Sequence, residues 1–234
     1  MSLVALCLRT AMVQALQEAP LFGEEVHDQP NDPLPLVATE GKSIVAVYDG
    51  EDVRTITSRD LIGADRGISL TIQAFLPAEV EVQRPSGSVR VFTKNNGGPI
   101  LLSMLDRRIE QILTTGSTPW ATILRGIILR IKEMHSASYL IEDQEGLRIT
   151  AREWVFVFDT LASPPIGEHP LGIWADLIKL LRNEPELCEL ADLIEIAIES
   201  PTSLAPWQKA MAALGITEAG ARGLGLGPEE LLDD

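Results

Sequence analysis

The sequence predicts an α+β fold: a mixed or antiparallel sheet with helices packed on one face, followed by an all-helical C-terminal extension. Three observations carry this. Helical and strand-like periodicities come in the order α-β-β-(β)-α-α-β-β over residues 1–163, without the strict βα alternation of a doubly wound sheet. Residues Ile68, Leu70, Ile72, Ala74 and Leu76 alternate with Ser69, Thr71 and Gln73, the period of a half-buried strand. After Pro164-Pro165-Ile166-Gly167 only helical periodicity remains. The expected organisation is a core over 1–163 and a helical extension over 164–234, within reach of a 234-residue chain.

Each element has its own warrant. Leu3, Leu6, Val13 and Leu16 recur near helical spacing over 2–18, with Ser2 as N-cap and Pro20 as stop. Four prolines and two glycines make 20–41 an expected extended loop. SIVAVYD, apolar on both faces, reads as a strand covered on both sides. Glu51–Arg66 is polar and reads as a long loop or weak hairpin. A shorter strand near Val89–Thr93 runs into the turn signal Lys94-Asn95-Asn96-Gly97-Gly98-Pro99.

Two helices are expected next. Leu101, Leu105, Ile109, Ile112 and Leu113 form the stripe of the first, with Asp106, Arg107 and Glu110 around its other side. Thr118-Pro119 opens the second, expected over 119–133, with Arg125, Arg130 and Lys132 left outside its apolar face. Strands over 137–142 and 147–158 meet at a turn at Glu145-Gly146. Helices are expected over 170–183, 186–199 and 204–214.

Composition narrows the function classes. The chain carries 19 Lys+Arg against 34 Asp+Glu, a net of −15, which opposes general binding of phosphate backbones. That charge is uneven: residues 84–132 net +6, between flanks of −8 and −13. A basic island between acidic flanks suits head-to-tail pairing of copies, the contact that closes rings. Cys7 and Cys188 have no CxxC spacing, so neither a thiolate zinc site nor a disulfide framework is expected, and a reduced compartment is. No segment reaches the roughly 18 uninterrupted apolar residues of a membrane span. The apolar start has no basic residue ahead of it, as a secretory signal would, so a soluble protein is expected.

No catalytic constellation stands out. His27-Asp28, with Glu24 and Asp32 nearby, matches no metal spacing. His135 next to Ser136 and Ser138 lacks a nucleophile elbow and reads instead as a helix-terminal histidine. Asp49-Gly50-Glu51-Asp52 reads as a turn between strands where water screens the carboxylates. GLGLGP has no preceding strand and no following Lys-Ser/Thr, so it is no phosphate loop. No enzyme activity, cofactor or metal is expected.

The order of elements resembles the tail-terminator (tail-completion) proteins of long-tailed bacteriophages. The likeness runs through LVALCLRTAMVQAL, SIVAVYDGED, RGISLTIQAFLP, LLSMLDRRIEQIL and LRITAREWVFVFDTLASPP, about residues 2–162, and is a pattern rather than a motif. It implies a structural virion protein of the neck and tail, assembled in the host cytoplasm. Such a subunit forms a six-fold ring that ends tail-tube polymerisation and joins the tail to the head-completion complex. Its partners would be other copies of itself, the tail-tube protein and the neck protein, with DNA passing through the lumen without sequence-specific binding. Helix 119–133 and the tail from 164 depart from the family and suit an added contact with a sheath or collar protein. Arg107, Arg108, Arg125 and Arg130 are the candidate subunit contacts; Asp49, Glu51, Asp52, Arg59, Asn95 and Asn96 are the candidate docking loops. The rival readings are a cytoplasmic enzyme built on His27, Asp28 and Asp49, and a bacterial adaptor using the acidic helical tail.

Overall fold

A computed structural model describes residues 2–18, 20–55, 65–84, 87–142, 148–164 and 167–199. The chain is α+β and falls into two compact units: Met1–Val53 with Gly67–Leu161, and Arg54–Arg66 with Ala162–Asp234.

The first unit is built on a five-stranded mixed sheet. Its strands are β1 (Glu25–Asp28), β2 (Ile44–Thr55), β3 (Asp65–Leu76), β6 (Ile128–Glu142) and β7 (Arg148–Thr160), in the order β1-β2-β3-β7-β6. β1 runs parallel to β2, and β6 antiparallel to β7. A separate antiparallel hairpin joins β4 (Glu79–Arg84) to β5 (Gly87–Phe92).

Helix α1 (Leu3–Gln17) starts where Ser2 Oγ accepts the Ala5 N–H. It is buried almost all the way round, as a helix between a sheet and other helices must be. Strand parity shows which helices share a face. Ile44 and Ala46 of β2 and Ile149 and Ala151 of β7 pack with Val37 of the short helix α2 (Leu34–Glu40). Residues of the opposite parity, Asp49 and Trp154, meet α1 and α3 (Gly98–Thr114) instead. Helices α1, α3 and α4 (Pro119–Ile127) therefore cover one face, and α2 covers one end of the other. β2 is accordingly sealed on both sides there, as its apolar run implies.

Several local expectations are corrected. The Pro-rich stretch 20–41 holds both β1 and α2, because Pro33 and Pro35 sit at the helix start, where a missing N–H costs nothing. Of Glu51–Arg66, read as a long loop or weak hairpin, the described ends are strand: β2 runs on to Thr55 and β3, its neighbour in the sheet, begins at Asp65, while 56–64 lies outside the described residues. Gly50 permits this, since a Cβ there would stand 2.3 Å from Ser69 Oγ, which instead accepts the Glu51 N–H at 2.6 Å. The second central helix ends at Ile127, not 133, and residues 128–142 form one continuous strand. The turn at Glu145-Gly146 and the helix at 204–214 lie outside the described residues.

In the second unit, α5 (Ile173–Asn183) and α6 (Cys188–Glu199) pack through Trp174, Leu177, Ile178 and Leu181 against Ala191, Ile194 and Ile198. Arg182 of α5 pairs with Asp192 and Glu195 of α6, and His169 Nδ1 lies 2.6 Å from Glu199 Oε1. No helix among the described residues is long and apolar enough to cross a membrane.

One charge fixes the seat of α1. Arg9 is 5% exposed, with its Nε 2.5 Å from Asp28 Oδ1 and its Nη1 2.7 Å from Asp49 Oδ1. Removing the guanidinium strands Asp49, whose side chain is 15% exposed, so Arg9→Met should cost about 3 kcal/mol in urea unfolding. Adding Asp28→Asn and Asp49→Asn should return most of that loss. A single variant as stable as the wild type would show that the pair contributes nothing.

Candidate functional site

The sheet and its helices bring the sequence-derived candidates to three places. The first is the carboxylate group at the β1–β2 end. Asp28 and Asp49 do meet, but they meet around Arg9, which occupies both. His27 points its Nε2 at Glu25, 3.5 Å away, and Glu25 is also held by Lys42 at 2.6 Å. The Lys42 contact and the nearby His27 keep the Glu25 carboxyl below its ordinary value. Asp49 therefore faces inward as a structural partner; Glu51 is exposed and Asp52 half-buried on the same strand rather than at a turn. Arg59 lies outside the described residues. Among the described residues no three His, Cys, Asp or Glu side chains group as metal ligands would. Burial pushes the Cys7 thiol up to about 12, so it stays protonated and unreactive at neutral pH.

The second place is the start of α3. After β5 the chain makes a single wide turn of π-helix over Thr93–Gly97 and enters α3 directly. Only glycine fits at 97, where a Cβ would stand 2.5 Å from both Phe92 O and Val91 Cγ1. Thr93 anchors the turn, its hydroxyl donating to Pro77 O at 2.7 Å. The result is an open groove of about 460 Å³ lined by Asn96, Pro99, Ile100, Ser103, Met104 and Arg107. Ile100 is 59% and Met104 40% exposed, an apolar floor beside a cation. The sequence placed Asn96 and Arg107 in two separate groups, a loop and a helix; the fold makes them one surface. The side chain of Asn95 is outside the described residues.

The four candidate arginines separate on inspection. Arg107 is exposed and makes no ion pair with any described residue. Arg108 is half-buried and donates to Gln111 Oε1 of its own helix at 3.5 Å. Arg125 donates to the Ile112 carbonyl at 3.2 Å, tying α4 to α3. Arg130 lies on β6 rather than on a helix and pairs with Asp159 Oδ2 at 2.6 Å.

Sequence reasoning missed a polar cluster that docks α3 on the sheet. Asp106 Oδ1 accepts the Trp154 indole N–H at 2.8 Å, and Asp106 Oδ2 lies 3.4 Å from Arg152 Nη2. Arg152 also lies over the Trp154 ring, 5.3 Å from its centroid, and donates to Ser136 Oγ at 3.0 Å. Asp106 had read as a solvent-facing residue of its helix; a tryptophan that needs a partner for its N–H was the available signal.

The third place is β6, the outer strand. All its residues from Leu129 to Leu140 are exposed, including Met134 at 41% and Leu140 at 56%. His135 sits in the middle of this strand, not at a helix end, with Nε2 3.3 Å from Glu133 Oε2. No protein-family model matches the chain, and no curated protein matches it.

Lys132 and Arg130 together hold the Asp159 carboxyl below its ordinary value of 3.8. A depressed folded-state value means the contact stabilises the β6–β7 pairing above 3.8 and is lost as pH falls through the depressed value. An NMR titration of Asp159 should show its midpoint rising towards the ordinary value in Lys132→Ala. An unchanged midpoint would show that Lys132 does not act on it.

Proposed function

We propose that this chain is a structural subunit of the bacteriophage neck and tail, a tail terminator whose ring ends tail-tube polymerisation and receives the head-completion complex. The observation that carries this reading is the groove at the start of α3. It combines exposed Ile100 and Met104 with the cation Arg107, which has no ion pair among the described residues, on the basic stretch that the acidic rest of the chain complements. Such a surface suits a protein contact, because an apolar floor gives area and a rim charge gives register.

In this reading the groove of one copy takes an acidic segment of the next, and six such head-to-tail contacts close the ring. The net charge of −15 lines the lumen with like charge, so that duplex DNA slides through without sticking. Exposed Gly50, Glu51 and Val53 of β2 offer a second contact for the tube or neck protein. The subunit ends up in the virion after assembly in the host cytoplasm. An adaptor reading has one observation of its own: Leu193 and Ile196 stand exposed on α6, an apolar face available to a different partner.

The test is native mass and negative-stain imaging of the chain, alone and mixed with tail-tube protein. The reading expects open six-fold rings near six times 25.5 kDa, free or on tube ends. Ile100→Asp with Arg107→Glu should abolish the rings without changing the unfolding midpoint. Tubes that grow unchecked and uncapped in the presence of the wild-type chain would overturn it.

A further inference from the structure

The two edges of the five-stranded sheet are treated in opposite ways. At the β1 edge the strand is only four residues long. Glu25 and Gln29 donate their N–H groups to Ser43 O and Val47 O, so the backbone groups of Val26 point away from β2, while its side chain is buried. Its carbonyl accepts from Gln17 Nε2 of α1 at 3.0 Å, which caps that edge at its centre. The opposite edge, β6, is fifteen residues long, and among the described residues no strand lies beyond it. Its register shifts are confined to the start, before Glu133, and the ladder with β7 runs unbroken from Glu133 to Glu142. A long, regular, partly apolar edge is a template for another strand.

We infer that β6 pairs antiparallel with β6 of a second copy, about a two-fold axis through Ala137, so that two sheets become one. The sequence of the strand is self-complementary in that register. Met134 faces Leu140 of the mate, His135 faces Tyr139, Ser136 faces Ser138, and Ala137 faces itself. Lys132 sits at the register shift ahead of Glu133 and is held by Asp159 of its own chain, so the paired register begins at Glu133. Each match except the axial Ala137 pair occurs twice by symmetry, and the one unlike pair is Glu133 with Ile141. Moving the axis to Ser136 or Ser138 keeps the faces but sets Met134 against Ser138 or Glu142, so the apolar match is lost. A shift of half a step turns the faces over. Cross-strand pairing of this kind is the unit of sheet stabilisation, and the register covering Met134, Tyr139 and Leu140 hides three of the strand's exposed large apolar side chains. The contact is isologous and stops at two chains. It needs only this edge and stands apart from the ring proposed above, whose contacts lie at α3.

The experiment is sedimentation equilibrium of the full chain across a concentration series, with two double variants at exposed positions. Met134→Lys with Leu140→Lys sets like charges against each other across the axis; Met134→Lys with Leu140→Glu sets opposite ones. The inference expects a species of twice 25.5 kDa for the wild type. Dimer affinity should fall at least about tenfold in the first variant and stay within about threefold in the second. In a Cys188→Ser background, Ala137→Cys should form a disulfide-linked dimer under mild oxidation, and Val53→Cys should not. Cys7 is buried and stays out of the reaction. A wild-type chain without the dimer, or two double variants that dimerise equally, would overturn the pairing. Rings unaffected by either double variant, with no dimer, would leave the tail reading standing and remove this one. Variants that keep the mass but no longer attach to tail-tube protein would assign β6 to a foreign strand and also overturn the two-fold contact.

Discussion

The outer strands of a sheet present unpaired backbone groups, and among the described residues the two edges of this sheet differ: a helix side chain reaches a carbonyl of β1, and no strand lies beyond β6. The β1 edge is a short strand paired parallel with β2, and the Gln17 side chain of α1 donates to one of its carbonyls. The β6 edge has none of these devices. It has no proline or bulge beyond Glu133, and exposed Met134, Tyr139 and Leu140 stand where charges usually protect an edge. That asymmetry is the ground of the inferred two-fold pairing.

The inner side owes its finish to a few polar contacts at helix–sheet junctions. Arg9 joins α1 to β1 and β2, and Asp106 joins α3 to β7 through Trp154 and Arg152. Both consume residue types that, free in a cleft, would suggest chemistry. Asp28 and Asp49 meet on one guanidinium, and their shared arginine holds them both as structural partners. Phe156 and Phe158 stack at 5.7 Å on the same strand, adding apolar bulk beneath α3. Rigidity here fixes the position of the α3 groove, because Gly97 and Thr93 set the turn from which that helix starts.

Much of this was legible in the sequence, and the gaps have physical causes. Strand β3 declared itself because one of its faces is buried at every second residue. Helices α1 and α3 declared themselves by spacing and, for α1, by the Ser2 cap. The junction at Ile127–Ile128 did not, since Ile123, Leu124, Ile127, Ile128 and Ile131 continue a helical stripe on paper. Only the pairing with Phe158 and Thr160 of β7, remote in sequence, draws Ile128 and Ile131 into a strand. Helix α2 was hidden by its prolines, which break a helix in the middle but suit its first turn. Of the site candidates, Asn96 and Arg107 were found separately and joined only by the fold. Arg9 was visible as a lone charge in an apolar helix, but its two partners were not.

The central claim is that this protein acts through surfaces left open for other chains. Hydrogen–deuterium exchange of the full chain, dilute and concentrated, tests it most directly. The account predicts that amides of residues 129–142 and 96–107 slow their exchange as concentration rises, while those of β1 keep the same rate throughout. Unchanged exchange at both open surfaces, at every concentration and with tail-tube protein added, would contradict it.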